Sequence, residues 1–199
     1  MPDEKVEILL FLAQGFEDLE AVSILDVFGW THYREHLRKV SVTTAGFHQV
    51  VKGRFGLTIN PDLSYSEINP KDYHALVLPG GFHSHGFDEA YDQRIHRLAR
   101  EIHENGGFIA TMCVGILPIA DAGLLQGKEA TTYPHSRCHD NIGRLKAGGA
   151  KAIDGHVVID NRIISCDGPG SSLKVAFLLM ECLLGAEMTR EVRNYMIYD

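Results

Sequence analysis

The sequence predicts a three-layer α/β fold on a mostly parallel sheet, and three observations carry that reading. Short runs that are apolar at every position alternate with longer stretches of helical periodicity. A strand apolar on both faces is what a parallel sheet covered by helices requires, and strand-then-helix alternation is the pattern of βαβ units. At 199 residues the chain suits one such domain, which buries about 70% of its unfolded surface. No Ser/Gly linker, low-complexity tract or internal repeat divides it, so residues 1–199 are read as one domain.

The elements follow in order. Ile8 to Ala13 is the first strand, and Gln14-Gly15-Phe16-Glu17 turns it into a helix over about 17–37. Leu19, Val22, Ile24, Leu25, Val27, Phe28 and Trp30 cover nearly the whole circumference of that helix. A helix apolar all round must be covered on both sides. Helices are the outer layers of this fold, so the free face is expected to meet a second copy, with Leu25 and Phe28 as contact positions. Val40 to Thr44 and Ala75 to Leu78 are further strands, the latter ending in Pro79-Gly80-Gly81. A helix over 88–104 leads to the strand Phe108 to Met112, which ends at Cys113-Val114-Gly115. Helices over 114–122 and 136–146, the strand Val157 to Ile159, the run Ile163 to Cys166 with its Asp167-Gly168-Pro169-Gly170 turn, and a helix over 171–185 complete the chain. In parallel α/β sheets, sites form outside the carboxyl ends of strands. The four turns are therefore expected to converge on one pocket.

Composition narrows the function. With 19 Lys+Arg against 26 Asp+Glu, the net charge of −7 lacks the basic field that nucleic-acid binding needs. The first residues carry Asp3, Glu4 and Glu7 instead of a basic leader, and no run reaches the ~18 apolar residues of a membrane span. Cys113, Cys138, Cys166 and Cys182 are widely spaced, without a CxxC pair. A reduced, cytoplasmic protein without a membrane or nucleic-acid partner is expected.

The chemistry centres on Cys113, where an apolar strand turns sharply into a helix. That arrangement resembles a nucleophile elbow, which lifts the nucleophile to a helix N-terminus. The N–H groups and dipole there would lower the thiol pKa below the ~8.5 of a free thiol; the alternative is an inert buried cysteine. Glu17 at the start of the first helix is either a silent first-turn acid or a carboxyl facing the cysteine, raised in pKa by burial and by the thiolate. The glycines of Pro79-Gly80-Gly81 and Gly168-Pro169-Gly170 would expose backbone N–H groups to an oxyanion. His135 and His139 would share one helix face, a spacing metals use, but the set lacks the Glu of HExxH, so no metal is expected. GxGxxG and the Walker phosphate loop are absent, and no organic cofactor is implied.

Taken together, LLFLAQGFEDLE, ALVLPGG, GGFIATMCVGILPIADAGLL, ATTYP and DGPGSSLKVAFLLME resemble the DJ-1/ThiJ/PfpI superfamily over residues 8 to about 181. The similarity is greatest to its DJ-1/YajL-like branch. The resemblance implies a flavodoxin-like sandwich of the class I glutamine amidotransferase type, and a homodimer through the first helix. It makes Cys113 the reactive cysteine, Glu17 its partner carboxyl, and the Gly81 and Val114 N–H groups the oxyanion donors, with Gly168-Pro169-Gly170 as a facing wall. Protease-like members carry histidine after the cysteine, where this chain has Val114, which argues against a peptidase. The branch's histidine before the proline is Tyr133 here, leaving Tyr133 or His135 to bind substrate or move a proton. Arg54 lies near the family's cross-subunit arginine, with a shifted spacing. The implied activity is a cysteine-dependent reaction on reactive carbonyls such as α-oxoaldehydes, of glyoxalase or deglycase type. An amidase or isonitrile-hydratase reaction, or a redox-sensing or chaperone-like stress role read out by Cys113 oxidation, are the alternatives.

Overall fold

The computed structural model describes residues 5–198. Residues 1–4, with the acidic leader positions Asp3 and Glu4, and residue 199 lie outside the described residues. In chain order the elements are β1 (Val6–Phe11), α1 (Asp18–Gly29), β2 (Val40–Gly46), β3 (Val51–Lys52), β4 (Thr58–Ile59), β5 (Leu63–Ser64), β6 (Ala75–Leu78), α2 (Gln93–Glu104) and β7 (Phe108–Thr111). There follow α3 (Ile116–Asp121), β8 (Glu129–Ala130), α4 (Asn141–Ala147), β9 (Lys151–Ala152), β10 (Val157–Asp160), β11 (Ile163–Cys166), α5 (Ser172–Leu184) and α6 (Ala186–Met196).

The central sheet has seven strands in the order β10-β11-β7-β6-β1-β2-β5. Every pairing is parallel except the β10–β11 hairpin at one edge. Alternate strand residues feed two cores. Ile8, Leu10, Val77, Ala110 and Ile164 pack with Ile24 and Phe28 of α1, Val175 and Met180 of α5 and Val192 of α6. Leu9, Leu76, Leu78, Ile109 and Ile163 pack on the opposite face with Leu98 of α2, Ile119 of α3 and Leu145 of α4. Two apolar faces per strand are thus what the three-layer architecture consumes. Among the described residues, no helix is long and apolar enough to cross a membrane.

The helices are shorter than the periodicity suggests. The 17–37 stretch ends as α-helix at Gly29 and continues as a 3₁₀ turn, Trp30–His32. The 88–104 stretch splits because Asp92 leaves the helix, its extended backbone letting the side chain accept from the Arg94 N–H as an N-cap. The 136–146 reading is wrong at its start. Ser136 Oγ accepts from the N–H groups of Cys138 (3.4 Å) and His139 (3.1 Å), and Asp140 caps a helix that begins only at Asn141. His135 and His139 therefore lie in a loop and share no helix face. The all-round apolar helix is also corrected in part: Phe28 is fully buried in the monomer core, while Leu19 and Val22 remain exposed.

Leu10 is fully buried, on β1 between β2 and β6. Its replacement by Ala is expected to lower unfolding free energy by about 2–5 kcal/mol in urea titration. A loss under about 1 kcal/mol would mean the core collapses around the gap.

Candidate active site

Cys113 follows β7 and Met112 with φ of +54°, a left-handed conformation that a non-glycine residue adopts only under constraint. The constraint is visible on both sides. Gly115 N–H bonds Met112 O at 2.8 Å, and Thr132 Oγ1 donates to Cys113 O at 3.0 Å. Gly80, at the end of β6, passes so close that a Cβ there would stand 2.7 Å from Cys113 Cβ and 3.0 Å from Val114 N. Only glycine fits.

The same turn binds the start of α1. Gly80 O accepts from Glu17 N–H at 2.9 Å, and Gly80 N–H donates to Glu20 Oε2 at 2.7 Å. Gly81 pairs with Phe16 in an isolated antiparallel bridge, flanked by Glu17 N–H to Gly80 O and Phe82 N–H to Gly15 O. Glu17 is the N-cap of α1, accepting from Glu20 N–H at 2.8 Å, and burial raises its pKa. The N–H of Val114 points at the Cys113 thiol.

Glu20 is the buried carboxyl at this turn that the sequence reading missed. It is fully buried, its Oε1 has no hydrogen-bond partner, and burial pushes its pKa up to about 8. After burial itself, the Glu20 charge is the strongest influence raising the Cys113 thiol; Glu17 contributes less. The carboxyl coupled to the cysteine is thus Glu20, three residues beyond the one singled out. A signal was present: Glu20 precedes Ile24, Val27 and Phe28 by 4, 7 and 8 positions, placing a carboxyl on the buried stripe of the helix. The expectation of a lowered thiol pKa is also corrected. Burial and the neighbouring carboxyl raise Cys113 well above its ordinary value, and the Val114 N–H offsets only part of this.

Glu17, Gly81, Cys113, Val114, Tyr133 and His135 all line one cavity of about 480 Å³, with Pro169 from the Gly-Pro-Gly turn and Phe55, Phe82, His83, Arg137 and His139 around it. Tyr133 is held by its carbonyl, which accepts from Asn141 Nδ2 at 2.9 Å. The Arg54 guanidinium lies over the rings of Phe55 and Phe82. Beneath the elbow, Cys166 is fully buried, its thiol raised to about 12 and donating to Gly168 O. Among the described residues, no group of three or more His, Cys, Asp or Glu is arranged to hold a metal.

A strained cysteine at the carboxyl end of a central strand, beside a buried carboxyl, defines an α/β protein with a cysteine elbow. The DJ-1/PfpI family model matches residues 6–182, and the chain belongs to that family. It is 31% identical to Deglycase PfpI of Pyrococcus furiosus over 166 residues, covering 83% of this chain and 92% of that protein. It is 32% identical to Protein DJ-1alpha of Drosophila melanogaster over 195 residues, 96% of this chain and 83% of that one. The crystal structure of Drosophila melanogaster DJ-1beta superposes with a TM-score of 0.83 at 26% identity, covering 98% of this chain and all of that one.

The Glu20 carboxyl makes folding pH-dependent with a defined sign. The folded state holds a proton up to about pH 8 that the unfolded chain releases near 4.5. That contribution to stability is complete below pH 4.5 and is lost as pH rises to about 8, at up to about 1.4 kcal/mol per pH unit. Glu20→Gln retains an acceptor for Gly80 N–H and is expected to remove this component. Urea titrations of both proteins across the window test it; parallel pH profiles would refute the assignment.

Proposed function

We propose that the protein is a cysteine-dependent enzyme acting on small reactive carbonyl compounds, with α-oxoaldehydes as the substrate class. The observation that carries the reading is the coupling of Cys113 to fully buried Glu20. Glu20, its pKa raised to about 8, holds a proton at neutral pH, and the raised Cys113 thiol keeps its own until a substrate oxygen accepts it, so a nucleophile and an acid stand side by side. The deglycase name of the Pyrococcus furiosus relative supports carbonyl chemistry in the family.

In this reading the Cys113 sulfur adds to the aldehyde carbon and the carbonyl π electrons move to oxygen, which takes the proton through Glu20. The product is a hemithioacetal, and the N–H groups of Gly81 and Val114 stabilise the developing oxyanion. The C1 hydrogen then leaves as a proton and returns to C2, giving a thioester. Water cleaves the thioester, releasing the 2-hydroxy acid and restoring the thiol. C1 is oxidised and C2 reduced within one molecule, so no outside electron carrier enters. Tyr133 and His135 bind the substrate on the opposite wall, and Glu17 holds the helix start that aims Glu20.

The protein also acts as a homodimer in this proposal. Leu19 is 52% exposed, Val22 40% and Phe55 66%, and the Phe55 and Leu57 N–H groups donate to Asp18 at the start of α1, joining the loop to that face. Exposed apolar side chains on a helix that is otherwise core support a subunit contact there.

Two measurements test these readings. Conversion of methylglyoxal to lactate is expected from the wild type and is expected to fall at least about 10³-fold in Cys113→Ser, with Glu20→Gln reduced less; equal turnover in wild type and Cys113→Ser would end the proposal. Light scattering should give a dimer that Leu19→Asp with Val22→Asp dissociates. A wild-type monomer at micromolar concentration would remove the subunit contact.

A further inference from the structure

The cavity above Cys113 is larger and more basic than a three-carbon aldehyde needs. Its volume of about 480 Å³ lies within the range that accommodates drug-sized ligands. Its lining carries Arg137, His83, His135 and His139 against one acid, the N-capping Glu17, in a chain of net charge −7. In an acidic molecule, the Arg137 cation gives this cleft a local positive field that favours an anion. Asp88, 2.7 Å from His83 Nδ1, offsets part of one ring only.

Arg137 is the sharpest feature. Arg94 is paired with Asp92 at 2.8 Å and Arg144 with Asp121 at 2.6 Å, whereas Arg137 has no carboxylate within ion-pair distance among the described residues. The loop bearing it is nonetheless held. Ser136 Oγ accepts from two backbone N–H groups, the His139 ring lies 4.7 Å from that of His83, and the His135 ring meets that of Tyr133 edge-on at 5.8 Å. An unpaired guanidinium on an anchored loop is suited to a carboxylate, which it binds through two parallel hydrogen bonds.

We infer that the cavity selects α-oxoaldehydes bearing a remote carboxylate, with Arg137 as the residue that binds the carboxylate while the aldehyde lies at Cys113. The inference rests on the carbonyl reading above, and the experiment separates the two.

Two substrates of equal chain length isolate the charge: 4,5-dioxopentanoate and the neutral 2-oxopentanal. Wild-type kcat/KM is expected to favour the acid by about tenfold or more at low salt, the contribution of one charge-assisted contact. The ratio is expected to fall towards one in Arg137→Gln and in the wild type at high salt. A wild-type ratio near one, or a ratio unchanged in Arg137→Gln, overturns the inference. Binding is measured separately by calorimetry with 4-oxopentanoate, which has the carboxylate but no aldehyde, against 2-pentanone. Arg137-dependent binding of 4-oxopentanoate without turnover of either aldehyde leaves the anion subsite standing and removes the carbonyl reading. Equal binding of the two probes to the wild type removes the subsite whatever the turnover.

Discussion

The close approach of the Gly80 backbone to Cys113 and α1 is the constraint on which the site depends. One residue does four things: it leaves room for the cysteine Cβ, runs past the Val114 N–H, donates to Glu20 and accepts from Glu17. β6 and β7 are neighbours in the parallel sheet, so their carboxyl ends bring Gly80 and Cys113 together. β1 lies on the other side of β6 and delivers α1 to the same place. Three adjacent strand ends thus hold Cys113 at positive φ, its turn fixed by the Gly115–Met112 and Thr132–Cys113 hydrogen bonds.

Much of this was legible in the sequence, for identifiable reasons. Strands such as Ala75 to Leu78 are buried at every position, so their apolar runs announce a sheet covered on both faces. Cys113 was legible because an apolar strand met a glycine-flanked turn. Glu20 was hidden by its own type: a carboxylate is usually exposed, and only its register with Ile24 and Phe28 reveals that it points inward. Short strands such as β3 and β8, two residues each, leave no period to read. The loop before α4 was concealed because side-chain oxygens of Ser136 and Asp140 take backbone N–H groups that a helix would have used.

Electrostatics divides the site into two regions with opposite demands. Around Cys113 and Glu20, burial penalises charge, so both groups favour their neutral, protonated forms. At the opposite wall, His135, Arg137 and His139 are exposed, and water supports the Arg137 charge. A substrate spanning both regions would place its uncharged electrophile inside and its charge outside. That polarity needs no metal or bound cation to orient the substrate.

The raised thiol also bears on whether Cys113 serves addition or sensing. Oxidation by peroxide follows the fraction of thiolate at rest, and burial beside Glu20 keeps that fraction low. Intrinsic nucleophilicity, however, rises with thiol pKa. A thiol raised in pKa is the stronger nucleophile once its proton passes to a substrate oxygen, and Cys113, half-buried and lining the cavity, is within reach of small molecules. Glu20, with its own pKa pushed to about 8, is matched to carrying that proton near neutral pH. The buried carboxyl at Glu20 thus supports the proposed carbonyl addition, and oxidation of the half-buried Cys113 thiol stands as the alternative use of the same sulfur.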